Sequence, residues 1–475
     1  MMNNRKIVSA RLSAAQQTLL ANLIRGEVLL PSDPRFGQAA QVFNARIKAH
    51  PKAIVRARDV DDVVQTVQFC TGEGLTPSVR AGGHGVLGHA VAGDIVIDLS
   101  RWSSVTVDPG RQVARIGAGA RWQDVDATAW SSGLLTPGAR ISHIGVAGFT
   151  LGGGEGWLSR RYGLAADNLI RAELVCADGT RVVAADHSEP GLTACLRGSG
   201  GNFGVVTALW QQLHRPPRVL LGGRLLFSGR HARQALLAYS SFMRCAPEVL
   251  SGSIAFVTCG QEPGLPASLR GQPAVAINIT VMCDDESTGQ KYLDPLRRLA
   301  VRPVADSVAP VAYPHLQTML DGHNQPGYRQ HSAARYLPEL SGAVIDALEE
   351  AWSRRPGPRA QFSLAWQDAA VARGSSRTSV FPHRTPAWSL YMMSRWTNPA
   401  DDVLHTGWIR QFKQDLAPFA EQGCYLNMDD DHSPAAVRRS FRPHHRRIAE
   451  SKQHWDPANI FRHTANIPPA PEACP

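Results

Sequence analysis

The 475-residue chain contains no Cys-x-x-Cys pair, and its eight cysteines (Cys70, Cys176, Cys195, Cys245, Cys259, Cys283, Cys424 and Cys474) lie far apart. That spacing excludes a zinc ribbon and a thioredoxin-type redox motif, and no metal centre is expected. Several stand among apolar neighbours, as in Leu174-Val175-Cys176-Ala177, and read as small core residues. No segment is apolar over a length that would span a bilayer, and residues 1–30 lack the continuous apolar core of a signal peptide. The expectation from these absences is a cytoplasmic protein with no membrane partner. Internal repeats and low-complexity tracts are also missing. Lysine and arginine (50) exceed aspartate and glutamate (40), giving a net charge of +10. The basic residues are scattered, so no nucleic-acid partner is expected; such a surface suits anionic ligands equally well. With 43% hydrophobic and 19% charged residues the chain can build a large core, and its length suggests two to three domains.

What the chain does have is clustered glycine. A short extended run at 75–79 enters Arg80-Ala81-Gly82-Gly83-His84-Gly85-Val86-Leu87-Gly88-His89, and a second strand at 94–99 follows. Closely spaced glycines let successive backbone N–H groups turn toward one point, a concavity suited to a diphosphate. Gly83, Gly85 and Gly88 match a Gly-x-Gly-x-x-Gly spacing. A Rossmann site, however, needs a helix directly afterwards, and here Val91-Ala92-Gly93 leads into a β-branched strand. That reading fails on context.

Glycine returns at Gly133-Leu134-Leu135-Thr136-Pro137-Gly138 and densely from Gly145 to Trp157, then again in Arg197-Gly198-Ser199-Gly200-Gly201-Asn202-Phe203-Gly204. So many glycines disfavour a stable helix or central strand between 145 and 157, and the stretch reads as a second wall of the same cradle. Around these loops the pattern predicts an amphipathic helix at 10–25, a strand at 51–56 and a helix from Asp59 through 67. Strands at 95–99 and 113–116 follow, then a helix at 119–130 and a hairpin at 169–184 turning on Asp178-Gly179, before a strand at 205–213. Beyond about 218 the glycine clusters thin out. Strand-like runs (254–258, 274–281, 361–365, 388–393) alternate with helices (231–243, 340–354, 403–416), which implies an antiparallel sheet with helices on one face. Residues 423–427 read as a short strand and 434–453 as one basic helix, with a solvated face favoured over a phosphate site.

Three groups of residues together resemble the berberine-bridge-enzyme-like branch of the vanillyl-alcohol oxidase superfamily. They are Arg80 to Gly85; Gly145 to Trp157 with Asp167-Asn168-Leu169 and 200–206; and Tyr425-Leu426-Asn427 with Trp455-Asp456-Pro457-Ala458-Asn459-Ile460-Phe461. The resemblance implies an α+β fold: a two-lobed PCMH-type FAD-binding domain plus an α+β substrate domain with an antiparallel sheet. The expected division is a lead-in at 1–45, the FAD-binding domain at 46–217, the substrate domain at 218–430 and a C-terminal return at 431–475. It further implies FAD attached covalently through His84. The cradle would comprise Arg80, Ala81, Gly82, Gly83, Gly85, Val86, Gly88 and His89; Pro137, Gly138, Gly145, Gly148, Phe149, Gly152, Gly153 and Trp157; and Asn168, Gly204, Val206, Tyr425 and Asn427. Members with two covalent bonds carry a cysteine where this chain has Ile141, so a single bond is expected. A second departure is Phe441-Arg442, where the family has Tyr-Gly beside the flavin.

The same resemblance makes Tyr425 the candidate base and Asn427 its neighbour at the flavin. A phenol has a pKa near 10, so a cation must favour its ionised form, and Arg384 in Phe381-Pro382-His383-Arg384 is the candidate; an ion pair that holds the sheet is its plainer role. Trp366, Gln367 and Tyr391 are candidate pocket residues, with core packing as the alternative. The expected function is an oxidase that moves hydride from a C–H bond of an alcohol, amine or activated carbon of a small organic molecule, with composition favouring a secondary metabolite, to FAD, with O2 as acceptor. The rivals are a carbohydrate oxidase that gives a lactone and a flavoprotein that binds a small molecule without turnover. Oligomeric state is not readable from the residues.

Overall fold

A computed structural model describes residues 11–260, 267–299 and 301–471. Cys474 and the first residue of the helix expected at 10–25 lie outside the described residues.

The amino-terminal part carries two sheets. The first has the order Glu27–Leu29, Ala53–Arg56, Ile95–Asp98, Pro77–Arg80. Its last three strands run parallel, and parallel neighbours need crossovers. One crossover is the helix Val60–Gly72, capped by the Asp59 carboxylate accepting from the Asp62 N–H and burying Val63 and Val67. The other is the glycine loop itself, which joins Pro77–Arg80 to Ile95–Asp98. The second sheet is antiparallel, with the order Val105–Asp108, Val113–Gly117, Val205–Gln212, Leu169–Val175, Arg181–Ala185. The third is the long antiparallel sheet Ala305–Asp306, Val219–Ser228, Pro273–Cys283, Leu250–Thr258, Gln361–Gln367, Ala387–Trp396, Arg329–Leu337. Helices Ala232–Cys245, Gly342–Ser353 and Asp402–Asp415 bury Leu236, Leu348 and Phe412 on one face of it. Its other face turns toward the glycine loops.

Four local expectations change. The stretch 145–157 is not free of helix: Val146–Leu151 forms a six-residue helix whose Val146, Ala147, Thr150 and Leu151 are buried, so tertiary packing overrides the glycine cost. Residues 423–427 form no strand; Tyr425 instead precedes a 3-10 turn at Leu426–Met428. The basic segment splits into Pro434–Ser440 and His445–Trp455, broken at 441–444. Strands Val105–Asp108, Val219–Ser228 and Arg329–Leu337 and the helix Pro190–Leu196 are additional to those expected.

The carboxyl-terminal motif closes the structure through one buried ion pair. Lys452 Nζ donates to Asp456 (2.6 Å) and to the carbonyls of Asn202 (2.6 Å) and Phe461 (3.0 Å). The Asp456 carboxylate accepts from the Ile460 and Phe461 N–H groups at 2.9 and 3.0 Å. Both side chains are fully buried, so the pair fastens the third glycine cluster to the chain's return.

Candidate active site

One large cavity, about 370 Å³, lies between the glycine loops and the open face of the long sheet. Its loop wall comprises Ala81, Gly82, Gly83, His84, Gly85, Val86 and His89, then Gly145, Gly148, Phe149 and Gly152, then Gly204 and Val206. The first two loops approach most closely at a pair of glycines. A Cβ on Gly82 would sit 2.5 Å from the Gly145 Cα, and one on Gly145 would sit 2.7 Å from the Gly82 backbone. Among the described residues, the N–H groups of Gly82, Gly83, His84 and Gly85 donate to no other protein group. Four free donors on a concave loop fit the phosphates and carbonyls of a flavin nucleotide.

His84 lines this cavity with its ring stacked on Phe43 at 3.8 Å between centroids. Its Nε2 lies 3.2 Å from Nδ1 of His143. Burial, reinforced by His143 and Arg395, lowers its pKa to about 3, so the imidazole is neutral over the working range. A neutral ring nitrogen has the lone pair that a covalent bond to a flavin requires. The cavity and its donors therefore fit FAD.

Tyr425 and Asn427 form the adjoining corner. The Tyr425 hydroxyl accepts from the Gly154 N–H (2.8 Å) and from the Asn427 amide (3.1 Å). Gly154 has φ +86°, a left-handed conformation that points its N–H at the phenol. Burial pushes the Tyr425 pKa up to about 12, while the two donors pull against it. Phe441, at the position of the second departure, packs its ring into the same wall.

The sheet side supplies Tyr391, Gln330 and Met393. Alternation along the strand decides this: Tyr391, Met393 and Arg395 share one face of Ala387–Trp396, while Trp388, Leu390 and Met392 enter the helix-covered core. Trp366 pairs in register with Trp388 and packs on it at 5.1 Å, so it belongs to that core and not to the cavity. Gln367 shares the Tyr391 face but lies four residues past Ser363, Tyr391's register partner, or ~13 Å along the strand. It too stays outside the cavity.

Other expected site residues stand behind the wall. Arg384 holds Asp167 with two hydrogen bonds (2.6 and 2.8 Å) and also reaches the Ser379 hydroxyl, so its charge is committed away from Tyr425. Arg80 donates to the Ala39 carbonyl. Gly88 packs on Ile47, Gly153 on the Phe381 ring, and Gly138, next to Pro137, on Trp122 and the Gly156 backbone. Trp157 is buried with Leu135 and Tyr313. Asn168 donates to the carbonyls of Tyr162 and Leu164, both at 2.9 Å. These positions shape the loops that face the cavity.

Phe43, His143, Gln330 and Arg395 were not singled out in the sequence. Phe43 comes from the lead-in segment, 41 residues before the histidine it covers, with no motif to mark it. For Arg395 a signal existed, since it follows Tyr391 at the strand period.

Fold and site together define a flavin-dependent oxidoreductase. Comparison with known proteins agrees: residues 51–185 match the family described as FAD binding domain, and residues 424–468 match berberine and berberine like. The chain is 28% identical to (R)-6-hydroxynicotine oxidase of Paenarthrobacter nicotinovorans over 94% of its length and 97% of that protein's. It is 25% identical to berberine bridge enzyme-like C-1 of Nicotiana tabacum, covering 90% of this chain and 86% of the relative. The crystal structure of 6-hydroxy-D-nicotine oxidase from Arthrobacter nicotinovorans superposes with a TM-score of 0.84 over 94% of this chain and 98% of that one, at 26% identity. The chain thus carries FAD-binding and berberine-like domains and is similar over nearly its whole length to FAD-linked oxidoreductases. Among the described residues no group of side chains suits a metal, and no helix is long and apolar enough to cross a membrane.

Proposed function

We propose that the protein is an oxidase that holds FAD through one covalent bond to His84 and dehydrogenates a C–H bond of a small organic alcohol, amine or activated carbon compound, with O2 as terminal acceptor. The observation that carries the reading is that His84 lines the same cavity as Tyr425 and Tyr391. Bound there, FAD would supply a hydride acceptor that oxygen can restore.

Each residue then has a physical task. The free N–H groups at 82–85 bind the cofactor, and Phe43 with His143 fixes the His84 ring for attachment. Ile141 lines the cavity at the position of the second attachment in other members, and its side chain has no nucleophile, hence the single bond. The two donors to Tyr425 Oη favour its ionised form, and as the phenolate it would take the proton from the substrate heteroatom; Asn427 keeps that oxygen in place. Apolar Met393 and Phe381 on the cavity wall exclude water from the reacting carbon. The (R)-6-hydroxynicotine oxidase relative, similar over nearly the whole chain, supports a small organic substrate.

Acid precipitation tests the attachment. Wild-type protein keeps its yellow colour in the pellet, and His84→Ala releases it to the supernatant. Colour retained by His84→Ala would refute the bond. Peroxide release across a panel of alcohols, amines and phenols tests turnover. A panel member that binds tightly without bleaching the flavin would instead favour a binding protein.

A further inference from the structure

Arg395 is a buried guanidinium with no counter-ion. It is 3% exposed, and no carboxylate lies within ion-pair distance among the described residues. Its donors go to neutral acceptors: Nε to the Gln330 side-chain oxygen (3.0 Å), and the terminal nitrogens to the carbonyls of His323 (2.7 Å) and Gln325 (3.4 Å). Burial lowers its pKa to about 10, which leaves it cationic at neutral pH. A second cation, Arg359, shares the Tyr328 ring with it, at 4.3 Å against 5.9 Å for Arg395. The nearby Asp430 is engaged by His331 and Arg46. A desolvated cation without a partner is costly to a folded protein and becomes favourable only when an anion arrives beside it.

The structure shows where such an anion would sit. Gln330 passes the field of Arg395 into the cavity: its oxygen accepts from Arg395, and its amide donates to the Tyr391 hydroxyl at 3.2 Å. The Tyr391 oxygen accepts that bond, and its own proton goes to a guest oxygen in competition with the Ser332 hydroxyl, which itself donates to Asp430. Burial raises the Tyr391 pKa to about 12, so it stays a neutral donor. Arg395 also lies over the ring of Phe43 at 4.8 Å, and Phe43 covers His84, so the charge stands on the side of the cavity where the flavin is anchored.

We propose that Tyr391, Gln330 and Arg395 form an anion-recognition site, and that the substrate is a small organic acid whose carboxylate or phenolate oxygen takes the Tyr391 hydrogen bond within the field of Arg395. This rests on the cavity being the flavin oxidase site and specifies the substrate class for it. Tyr391 makes the contact; Gln330 and Arg395 are positioning residues that act through it. The array selects against cations and gives neutral isosteres no charge attraction.

Titration of the FAD-loaded protein with benzoate, benzamide and benzylamine tests this, followed by perturbation of the visible flavin band and by melting temperature. The expected result is benzoate binding about ten- to a hundredfold tighter than benzamide, with benzylamine weaker still. Arg395→Met abolishes the preference for benzoate, Arg395→Lys retains part of it, and Tyr391→Phe weakens benzoate while leaving benzylamine unchanged. Flavin absorbance of each variant reports whether it has folded and loaded. Equal binding of benzoate and benzamide by the wild type overturns the proposal. So does a preference that survives Arg395→Met, or a failure of all three probes to bind. A colourless protein would overturn the flavin assignment instead, and the benzoate-induced melting shift would still decide this site. 4-Nitrophenol, titrated above and below its own pKa, separates phenolate from carboxylate recognition.

Discussion

The two walls of the cavity are built on opposite principles. The loop wall offers backbone: glycines pack Cα to Cα at 82 and 145, and the donors at 82–85 are main-chain N–H groups. The sheet wall offers side chains, Tyr391, Gln330 and Met393, set by strand alternation and cross-strand register, with Arg395 behind Gln330. A backbone wall can hold a large invariant cofactor because main-chain geometry varies little. A side-chain wall can be changed residue by residue, which is where substrate choice belongs. Two arginines sharpen the contrast. Both stand behind the cavity lining, but Arg384 is in a bidentate pair with Asp167, whereas Arg395 bonds Gln330 and backbone carbonyls with no carboxylate among the described residues.

The largest effect should come from the corner where the walls meet. Tyr425→Phe is expected to lower kcat/KM by about 10²- to 10⁴-fold while flavin content is unchanged, measured by peroxide release against flavin absorbance. A variant with wild-type rates would move the base to the sheet wall. Next is the clasp that holds the loop wall shut. Asp456→Ala leaves Lys452 as an unpaired buried cation and should cost about 3–5 kcal/mol by chemical denaturation, with loss of flavin. Retained stability would show that the loop wall stands without its carboxyl-terminal fastening.

Gly82→Ala probes the backbone wall directly. Its methyl group meets the Gly145 backbone, so the loops must part, at an expected ~1–3 kcal/mol and with reduced flavin incorporation. Met393→Leu on the opposite wall should instead alter substrate affinity, with a stability change under about 1.5 kcal/mol. Equal consequences for flavin content would erase the distinction between the walls.

At neutral pH the smallest effect is that of a histidine whose contribution emerges only on acidification. His214 lies outside the cavity, stacks on Tyr162 at 4.2 Å, and has its pKa lowered by burial to about 4. Its folded pKa lies below the unfolded value of about 6.5, so the unfolded chain takes up the proton first and stability falls as pH drops from ~6.5 toward 4. The limiting slope is about 1.4 kcal/mol per pH unit for one histidine. His214→Phe should flatten that part of a denaturation profile measured against pH. The cavity histidine His84 is depressed by the same cause, and the proposed attachment to FAD would change its titration, so flavin-free and flavin-bound protein should differ in slope.

The glycine loops and the histidine inside the first of them were legible from residues alone, whereas the tyrosine before Asn427 was marked only by the family resemblance. Glycine clusters act locally: each lets the backbone turn or approach whatever the rest of the chain does. Tertiary structure decided everything that depends on facing. Trp366 and Tyr391 look alike in sequence, and only the pairing of Trp366 with Trp388 sends one to the helices and the other to the cavity, because a strand reverses its side chains at every residue. Likewise only long-range folding brings Asp167 to Arg384, 217 residues away, and leaves Arg395 without a carboxylate. A charge's role is set by the partner that arrives in space, and a linear chain does not specify that partner.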